Sequence, residues 1–378
     1  MNNLKRVIVV FHDNDLYSGG TLSHLSNVNY MIDNKIEIVA IIPQKDGELK
    51  DYLENKGVKV YQRKYGGNVY SAKKYGIKKV IAMTKCLCKS IVSFFSAFCL
   101  SLGLHKTKYD IVYTNTSTIN YGYWLSRFLH VKHIWHFREF CYEDQDSLRM
   151  FEKSFIKKAR SANEIITISK VLDKYYRQKY GLKNTLMMYD DLSKDYLLNS
   201  KERKLHSTIN FLMTGTFSEG KGQFDVVKAF EKLNCEQAHL YLAGRINVYG
   251  EKIQAYVQEK NIKNVHFCGF VKDMKSLREI MDYSIVNSRS EAFGRIIIED
   301  MLAGIIVLGS DRGSVPELIS DGENGYIFQY NNVESLSSLM EKCIDNNNDV
   351  IKKKSLEFAK QFVNDNTAHK ILEIIQNN

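Results

Sequence analysis

Two series of short apolar runs, separated by helical patterns, constrain this chain more than any other feature of its sequence. In the first half the runs lie at residues 6–12, 37–43, 57–63, 110–116, 133–137 and 164–169. In the second half they lie at residues 208–215, 239–244, 265–270, 283–288, 305–310 and 325–328. Runs of this kind that alternate with helices are typical of βαβ units and parallel sheets. The pattern predicts an α/β protein with two doubly wound, Rossmann-like parallel-sheet domains.

The length of 378 residues is sufficient for two domains of ordinary size. We predict an N-terminal domain over 1–190, a C-terminal domain over 191–360, and a C-terminal helix within 361–378 that packs back on the N-terminal domain. The polar and charged segment 189–207 is the expected crossover. Because ligands of open α/β sheets bind beyond the carboxyl ends of the strands, we expect the two domains to face a ligand-binding cleft.

The cysteines and the first residues bear on where the protein works. The seven cysteines are scattered, and only Cys86 and Cys88 are close in sequence, so no zinc-binding pattern is present. Met1 leads directly into an apolar strand pattern, without the apolar core and cleavage site of a signal peptide. Both features are typical of proteins of the reducing cytoplasm. We therefore expect a cytoplasmic protein without a bound metal.

Positive charge is concentrated in the first half of the chain. The net charge is +10, with 30 basic and 17 acidic residues in 1–190, against 23 and 26 in 191–378. Residues 55–109 contain twelve basic residues and no acidic one. Such an asymmetry indicates an anionic partner for the N-terminal half. Nucleic acid is not the expected partner, since no nucleic-acid-binding motif accompanies the charge.

The uncharged segment 90–104 leaves two interpretations open. It is shorter than the ~20 residues that span a bilayer, and its apolar side chains recur at helical spacing: Ile91, Phe94, Phe95, Phe98 and Leu102. A helix buried in the core is one interpretation. The other is a peripheral membrane helix, because six lysines precede the segment: Lys73, Lys74, Lys78, Lys79, Lys85 and Lys89. On the second interpretation, the N-terminal domain docks on anionic lipid at the inner face of the plasma membrane.

The stretch GTFSEGKGQ, residues 215–223, follows a predicted strand and precedes a predicted helix. It nearly matches the phosphate-binding pattern G-x-x-x-x-G-K-[ST], but Gly222 replaces the hydroxyl residue that holds magnesium. A Mg-ATP site is therefore not expected. Lys221 at a helix start still suits a phosphate group. The alternative is an ordinary turn with a solvated lysine.

The stretch SEAFGRIIIED, residues 290–300, contains two glutamates eight positions apart. Glu291 precedes a glycine-containing turn, and Glu299 lies in a helix that Gly304 is expected to end. The amides at this helix start can bind an anion, so the two amide-rich turns could hold one diphosphate. The alternatives are a carboxylate favoured by the helix dipole and an ion pair between Glu299 and Arg295.

These motifs together resemble glycosyltransferase family 4, a family of retaining enzymes with the GT-B fold. SEAFGRIIIEDMLAG resembles the family's E-x7-E motif, and GTFSEGKGQ resembles its phosphate loop. SGGTLSHL, residues 18–25, is similar to its N-terminal Gly-Gly loop, and HIWHFREF brings His136 to the family's histidine position. Many members have an arginine where this chain has Thr216. The resemblance covers nearly the whole chain.

The resemblance implies a role for each matched residue. It implies a set of residues that contact the nucleotide sugar: Gly20, Thr216, Lys221, Glu291, Phe293, Gly294, Arg295 and Glu299. In this set Lys221 binds the diphosphate, Glu291 holds hydroxyls of the transferred sugar, and Glu299 holds the ribose. The implied catalytic residues are His136, Lys221 and Glu291. Arg138 and Glu139 are candidates for the acceptor side.

The activity implied by the resemblance is transfer of a hexose, with retention, from a UDP- or GDP-linked donor to a hydroxyl. The acceptor would be a glycan or a lipid-linked glycan in bacterial capsule, exopolysaccharide or lipopolysaccharide synthesis, and no metal or other cofactor is expected. Two alternatives are a sugar-nucleotide epimerase of the same fold and a non-catalytic binding subunit. A nicotinamide dehydrogenase is not expected, because no G-x-G-x-x-G follows a strand.

Overall fold

A computed structural model describes residues 5–197, 207–233, 235–346 and 348–377. Residues 198–206 of the predicted crossover therefore lie outside the described residues. The chain forms two compact units. The first unit contains the chain up to Asp191 together with the segment that begins at Asp365, and the second unit is Leu192–Asn364.

The strands follow the apolar runs of the sequence. They are β1 (Arg6–Val10), β2 (Glu37–Pro43), β3 (Lys59–Arg63), β4 (Val69–Ser71), β5 (Ile111–Thr114), β6 (Lys132–Phe137), β7 (Ser147–Arg149), β8 (Glu164–Thr167), β9 (Thr185–Met187), β10 (Ile209–Thr214), β11 (Ala238–Ala243), β12 (Val265–Gly269), β13 (Tyr283–Val286), β14 (Ile306–Ser310) and β15 (Tyr326–Phe328).

Helices connect most of these strands. They are α1 (Gly19–Asp33), α2 (Leu49–Asn55), α3 (Gly76–Leu104), α4 (Tyr121–Leu129), α5 (Tyr142–Gln145), α6 (Glu152–Arg160), α7 (Lys170–Tyr180), α8 (Gln223–Lys232), α9 (Val248–Glu259), α10 (Met274–Arg278), α11 (Arg295–Leu302), α12 (Val315–Leu318), α13 (Val333–Asp345), α14 (Asp349–Ala359) and α15 (Asn366–Asn377). Two short 3-10 turns lie at Lys194–Tyr196 and Lys360–Phe362.

Each unit is built on one parallel sheet. The first has seven strands in the order β3-β2-β1-β5-β6-β8-β9, and the second has six in the order β12-β11-β10-β13-β14-β15. In both sheets the chain runs outward from a central strand and then returns to its other side, which makes a topological switch point between β1 and β5 and another between β10 and β13. The predicted α/β fold class with two doubly wound sheets is confirmed.

The run of the central strand β1 is continuously apolar because its side chains are buried on both faces of the sheet. Successive side chains point to opposite faces of a sheet, and Val7, Ile8, Val9 and Val10 are all fully buried. Val7 and Val9 pack among side chains of α1 and α15, whereas Ile8 and Val10 pack among those of α3 and α4. Helices on both faces of a parallel sheet require this pattern. The C-terminal helix α15 thus completes the core of the first unit.

All twelve predicted runs are strands of these two sheets, and α11 is followed by Gly304 with a positive φ of 70°, as predicted. The sequence did not reveal β4, β7 and β9. Each has only three residues, and β4 pairs with β7 in a separate antiparallel ribbon. β15 is equally short, but its first and last residues are buried, whereas β4, β7 and β9 are mostly part-exposed and so show no distinct apolar run.

Gly122 allows a direct test of the packing between α4 and β5. A methyl group at this position would lie 1.8 Å from Thr114 Oγ1 and 3.1 Å from Thr114 Cβ. We predict that Gly122→Ala lowers the free energy of unfolding of the first unit by about 1–3 kcal/mol through overpacking. Urea unfolding followed by tryptophan fluorescence measures this unit, because both tryptophans, Trp124 and Trp135, belong to it.

Gly103→Ala is the matched control. Gly103 also lies in a helix, α3, but an added methyl group would meet no atom within 4 Å. This substitution should raise the free energy of unfolding by about 0.5–1 kcal/mol, because alanine favours the helix more than glycine does. Equal effects of the two substitutions would contradict the packing described here.

Candidate functional site

In the second unit, two glycine-containing loops lie side by side at the carboxyl edge of the sheet. Loop 215–222 follows β10 and loop 287–294 follows β13, and these two strands pair in parallel at the switch point. The backbone N–H of Arg289 donates to the Gly220 carbonyl at 2.7 Å and joins the loops. Ligands of doubly wound sheets bind at such a switch point.

The surroundings of Gly222 explain why this loop has a glycine where magnesium-dependent phosphate loops have a serine or threonine. The φ of Gly222 is 73°, and a Cβ atom here would lie 2.5 Å from Asn287 Nδ2 and 2.7 Å from the Asn287 carbonyl oxygen. The Asn287 side chain also donates to the Gly222 carbonyl at 3.1 Å. A serine or threonine cannot occupy this position without displacing the neighbouring loop. The glycine is therefore required by the contact between the two loops.

Lys221 and Glu291 form an ion pair between the same two loops. Lys221 Nζ contacts Glu291 Oε1, and Ser288 Oγ donates to the same carboxylate oxygen at 2.5 Å. A third loop fixes the backbone of Glu291, since the Ser314 N–H donates to its carbonyl at 2.9 Å. Gly313, with φ of 59°, passes so close that a Cβ would lie 2.3 Å from the Glu291 nitrogen. The position of this carboxylate is thus well defined.

The turn before α11 places backbone amides at the start of that helix. Gly294 is the residue before the helix and has a φ of 81°, which is favourable for glycine. Phe293 is buried, and its ring packs at 5.9 Å from that of Phe362. This contact fixes the turn that leads into Arg295. The start of an eight-residue helix carries partial positive charge suited to an anion.

Gln223 holds the shape of loop 215–222. This side chain is almost fully buried at the first position of α8. Its Nε2 donates to the carbonyl of Thr216 at 3.2 Å, and its Oε1 accepts from the Ser218 N–H at 3.2 Å. Thr216 itself is exposed. Gln223 therefore orients the loop that carries Lys221.

Both carboxylate oxygens of Glu299 accept hydrogen bonds from arginines. Arg295 Nε donates to Oε1 at 2.6 Å, and Arg278 Nη2 donates to Oε2 at 2.8 Å. The ion pair with Arg295, one of the alternatives considered for Glu299, is thus present. Tyr196 lies beside both guanidinium groups, with its ring 5.4 Å from the Arg295 Cζ and 5.6 Å from the Arg278 Cζ.

Arg278 is the more deeply buried of the two arginines in this network. Besides Glu299, its Nε donates to Asp300 Oδ1 at 2.7 Å, and Ser284 Oγ donates to Asp300 Oδ2 at 2.5 Å. Burial disfavours the charged guanidinium, but the carboxylates of Asp300 and Glu299 outweigh it and raise the pKa of Arg278. Arg278 therefore stays charged and orients Glu299 from the inner side of α11.

In the first unit, His136 lies fully buried at the carboxyl end of β6. Its Nδ1 lies 2.8 Å from the Tyr113 hydroxyl and 3.2 Å from Arg138 Nη2. Because a guanidinium can only donate, Nδ1 accepts and Nε2 carries the proton of the neutral ring. Burial, and then the charge of Arg138, lower the pKa of His136 well below its usual value. Among the described residues, Nε2 has no hydrogen-bond partner.

Gly20 and Arg138 are joined through Asn115, at the switch point between β1 and β5. Asn115 Nδ2 donates to the Gly20 carbonyl at 3.1 Å, and Asn115 Oδ1 accepts from Arg138 Nε at 2.7 Å. A Cβ at Gly20 would lie 3.2 Å from His12 Cε1, which is a tight contact. Arg138 also donates to Asp190 Oδ2 at 2.5 Å. His136, Gly20 and Arg138 therefore belong to one buried polar cluster.

Glu139 lies next to this cluster but is turned to a different set of partners. Its Oε1 accepts from Thr116 Oγ1 at 2.7 Å and from Ser117 Oγ at 2.5 Å. The side chain is almost fully buried. These bonds attach the loop after β6 to the loop after β5. No set of three or more His, Cys, Asp or Glu side chains in the described ranges is arranged to hold a metal ion.

The sequence did not point to Arg278, Gln223, Ser288 or Tyr196. Ser288 could have been identified, because a polar residue directly after a buried parallel strand lies at the ligand-binding edge of the sheet. Arg278 carries no such signal, since its burial depends on acidic residues about twenty positions later in the chain. Tyr196 precedes the second sheet, and its approach to Arg295 depends on tertiary folding alone.

A protein-family model described as "Glycosyl transferases group 1" matches residues 197–362 of this chain. That range contains both loops, the Lys221–Glu291 pair and the Arg278 network. Over this range the chain is similar to the group 1 glycosyl transferases. The resemblance to glycosyltransferase family 4 is thereby confirmed. The match falls within the second unit, Leu192–Asn364.

Curated relatives align with only part of this chain. The uncharacterized glycosyltransferase MJ1178 of Methanocaldococcus jannaschii is 27% identical over 206 residues, or 53% of this chain and 55% of that protein. The N-acetyl-alpha-D-glucosaminyl L-malate synthase of Bacillus anthracis is 30% identical over 143 residues, or 36% and 34%. The chain thus spans about half of the first relative's length and about a third of the second's.

Solved structures share the fold over the whole chain. The crystal structure of Anabaena Alr3699/HepE in complex with UDP and glucose has a TM-score of 0.78 to this chain. The two are 18% identical, and the match covers 98% of this chain and 99% of that one. This likeness establishes a common GT-B fold.

The Arg278 network predicts a large stability effect confined to the second unit. Arg278→Gln leaves two buried carboxylates without their common cation, so the free energy of unfolding of this unit should fall by about 3–5 kcal/mol. Hydrogen exchange of the β13 and α11 peptides measures the change. Tryptophan fluorescence, which reports on the first unit, should show an unchanged transition.

Arg312→Gln is the matched control for the loss of an arginine. Arg312 pairs with Asp311 at 3.3 Å on the surface, where both side chains are about half exposed. Exposed pairs contribute ~0–1 kcal/mol, so this variant should unfold almost like the wild type. If Arg278→Gln lowered the free energy of unfolding as little as Arg312→Gln does, the carboxylates of Asp300 and Glu299 would be solvated rather than buried.

Proposed function

We propose that this chain is a retaining glycosyltransferase that moves a hexose from a nucleotide sugar to a hydroxyl of a glycan or lipid-linked acceptor. The Lys221–Glu291 pair at the switch point carries the proposal. It joins a phosphate-type loop to a carboxylate suited to sugar hydroxyls, and one bound molecule that offers a diphosphate and a sugar would meet both groups. Assembly of bacterial surface polysaccharide is the proposed setting, by the resemblance to glycosyltransferase family 4.

The chemical difficulty of such a transfer is the departure of the nucleoside diphosphate from the anomeric carbon. Lys221 and the amides at the start of α11 are positioned to stabilise the negative charge that develops on the leaving group. The ammonium group has three donors, so it can contact a phosphate oxygen while retaining its bond to Glu291. In this proposal the protein supplies the positive charge, and the reaction proceeds without a metal.

His136 enters the proposal as a neutral hydrogen-bond donor to substrate. Its burial and the neighbouring Arg138 keep the ring neutral, and its Nε2–H has no hydrogen-bond partner among the described residues, with Asp190 Oδ1 4.0 Å away. An unsatisfied buried donor is costly, so a substrate hydroxyl that accepts this bond would offset that cost. Tyr113 and Arg138 fix the ring orientation through Nδ1.

A UDP-linked sugar is the proposed donor. HepE, which shares the fold, is described in complex with UDP and glucose. A GDP-linked donor is the alternative among common nucleotide sugars. The Bacillus anthracis relative is named as a synthase of a glucosaminyl malate, so an acceptor as small as a hydroxy acid belongs in the set of acceptors to be assayed.

Substitution of the two glutamates separates their proposed roles. Glu299→Ala should weaken binding of free UDP by about 1–3 kcal/mol, because ribose hydroxyls lose a charged acceptor. Glu291→Ala should bind UDP nearly as well as the wild type yet suppress transfer, because it removes contacts to the sugar alone. Calorimetry with UDP, beside a transfer assay, measures both effects.

The exposed Glu259, on α9, provides the control. Glu259→Ala should change neither UDP affinity nor transfer. If both Glu291→Ala and Glu299→Ala bound UDP and transferred sugar like the wild type, the two carboxylates would have only a structural role as ion-pair partners. Melting temperatures of all three variants identify any loss that comes from unfolding.

Product analysis tests the reaction class. Incubation with UDP-glucose, a hydroxyl acceptor and a chelator should give a glycoside of unchanged anomeric configuration by NMR. An epimerised nucleotide sugar formed without acceptor would establish the epimerase alternative. Donor binding without any turnover over a broad acceptor set would establish a binding subunit. Loss of transfer on chelation, restored by added magnesium, would contradict the metal-independent reaction.

A further inference from the structure

Helix α3 and Tyr75, the residue before it, carry more than half of the large apolar side chains that the described residues expose to solvent. Of the eighteen exposed large hydrophobic side chains, ten lie between Tyr75 and Leu102. The ten are Tyr75, Ile77, Val80, Ile81, Leu87, Ile91, Val92, Phe95, Phe98 and Leu102. A concentration of this kind on one element marks an interaction surface, whereas single exposed apolar residues are normal.

The opposite side of α3 is fixed in the core of the first unit. Buried side chains recur at Ala82, Cys86, Ser93, Ala97, Leu100 and Leu104, at intervals of three, four or seven residues. Ala97, Leu100 and Leu104 pack in the same core cluster as Ile8 and Val10 of β1. At 100° per residue, Ile77, Ile91 and Phe95 project from the opposite side of the helix. The apolar face therefore continues outward from a rigid support.

Lysines border this apolar face on one side. Lys78, Lys85 and Lys89 are exposed, and at 100° per residue they fall on one flank between the buried stripe and the exposed apolar face. They belong to the segment 55–109, which contains twelve basic and no acidic residues. An apolar face with a basic flank is typical of helices that lie in the plane of an anionic membrane.

We propose that the α3 face, defined as the ten exposed apolar residues with Lys78, Lys85 and Lys89, docks on the surface of an anionic lipid bilayer. The apolar side chains enter the boundary between head groups and acyl chains, about 5–10 Å deep, and the lysines bind lipid phosphates. The structure thus combines the two interpretations of segment 90–104: one side of the helix is core and the other faces lipid.

Two other occupants fit the surface less well. By length and composition α3 is long and apolar enough to cross a membrane, but a crossing would remove Ala97, Leu100 and Leu104 from the core. A second copy of the chain would bring two basic segments together, and like charges across an interface are unfavourable. Anionic lipid satisfies both the apolar face and the positive charge.

Flotation with vesicles tests the docking independently of any sugar transfer. The wild type should float with vesicles of phosphatidylcholine and phosphatidylglycerol and much less with phosphatidylcholine alone, and added salt should weaken the binding. The double variant Ile91→Gln, Phe95→Gln should lower the vesicle partition coefficient at least about tenfold, because two apolar side chains no longer enter the bilayer. Replacement of Lys78, Lys85 and Lys89 by glutamine should lower it by a similar factor on anionic vesicles.

Matched controls come from the second unit. Val248 and Val350 are about as exposed as the most exposed residues of α3, so the double variant Val248→Gln, Val350→Gln should bind vesicles like the wild type. The exposed Lys252, Lys260 and Lys263, replaced by glutamine, control for net charge. Retained UDP affinity and an unchanged melting temperature confirm that each variant is folded.

Three results would overturn the docking proposal. Equal flotation with neutral and anionic vesicles, or with neither, would exclude an anionic surface as the partner. The α3 face would be assigned to a second copy of the chain if two results were found together. The wild type would not bind vesicles, and the double variant Ile91→Gln, Phe95→Gln would have half of the wild-type mass by light scattering. Retention of the protein in membranes after alkaline carbonate extraction would assign α3 to a membrane span. A protein that transfers sugar but does not bind vesicles would contradict only the docking proposal. A protein that binds vesicles but does not transfer sugar would contradict only the proposed reaction.

Discussion

The contact between the two loops at the β10–β13 switch point is the constraint on which the candidate site depends. Gly222 packs against Asn287 so closely that any side chain would collide with it. The backbone bond from Arg289 to Gly220 closes the same interface. As a result, Lys221 and Glu291 come from segments seventy positions apart in the chain, yet they contact each other directly. Positioning by a rigid sheet edge is a general way to bring loop residues into precise geometry.

A second, buried layer of charge supports this edge. Arg278 orients Glu299 from within the unit while Arg295 approaches the same carboxylate from the outer side. A buried ion network of this kind adds little net stability compared with an apolar core, because desolvation opposes the attraction. Its retention here is better explained by orientation: a carboxylate with two fixed donors keeps one rotamer. In the first unit, Tyr113 and Arg138 orient the ring of His136 in a comparable way.

The sequence predicted the sheets well because central strands such as β1, β5 and β13 are buried on both faces and therefore form continuous apolar runs. Through the resemblance it assigned Lys221 and Glu291 to the diphosphate and the sugar of one donor, but it did not predict their direct contact, since nothing in their spacing requires it. The short strands β4, β7 and β9 were missed because most of their residues are part-exposed and form no distinct apolar run. Arg278 was missed because an arginine in a short helix is normally solvated, and only the folded chain brings Asp300 and Glu299 to it. Segment 90–104 was ambiguous for a physical reason, since α3 has a core side and an exposed apolar side.

The ion pair between Lys221 and Glu291 also bears on which molecules the site rejects. The Glu291 carboxylate neutralises the Lys221 ammonium group, so the site does not offer an unpaired cation to abundant small anions. Inorganic phosphate at the remaining donors of Lys221 would be repelled by the neighbouring Glu291 carboxylate, and it brings no sugar hydroxyl to that carboxylate. A molecule that carries hydroxyl groups next to its phosphates compensates both members of the pair at once. Discrimination against simple phosphates would thus follow from the charge balance of this ion pair, before any base or sugar is recognised.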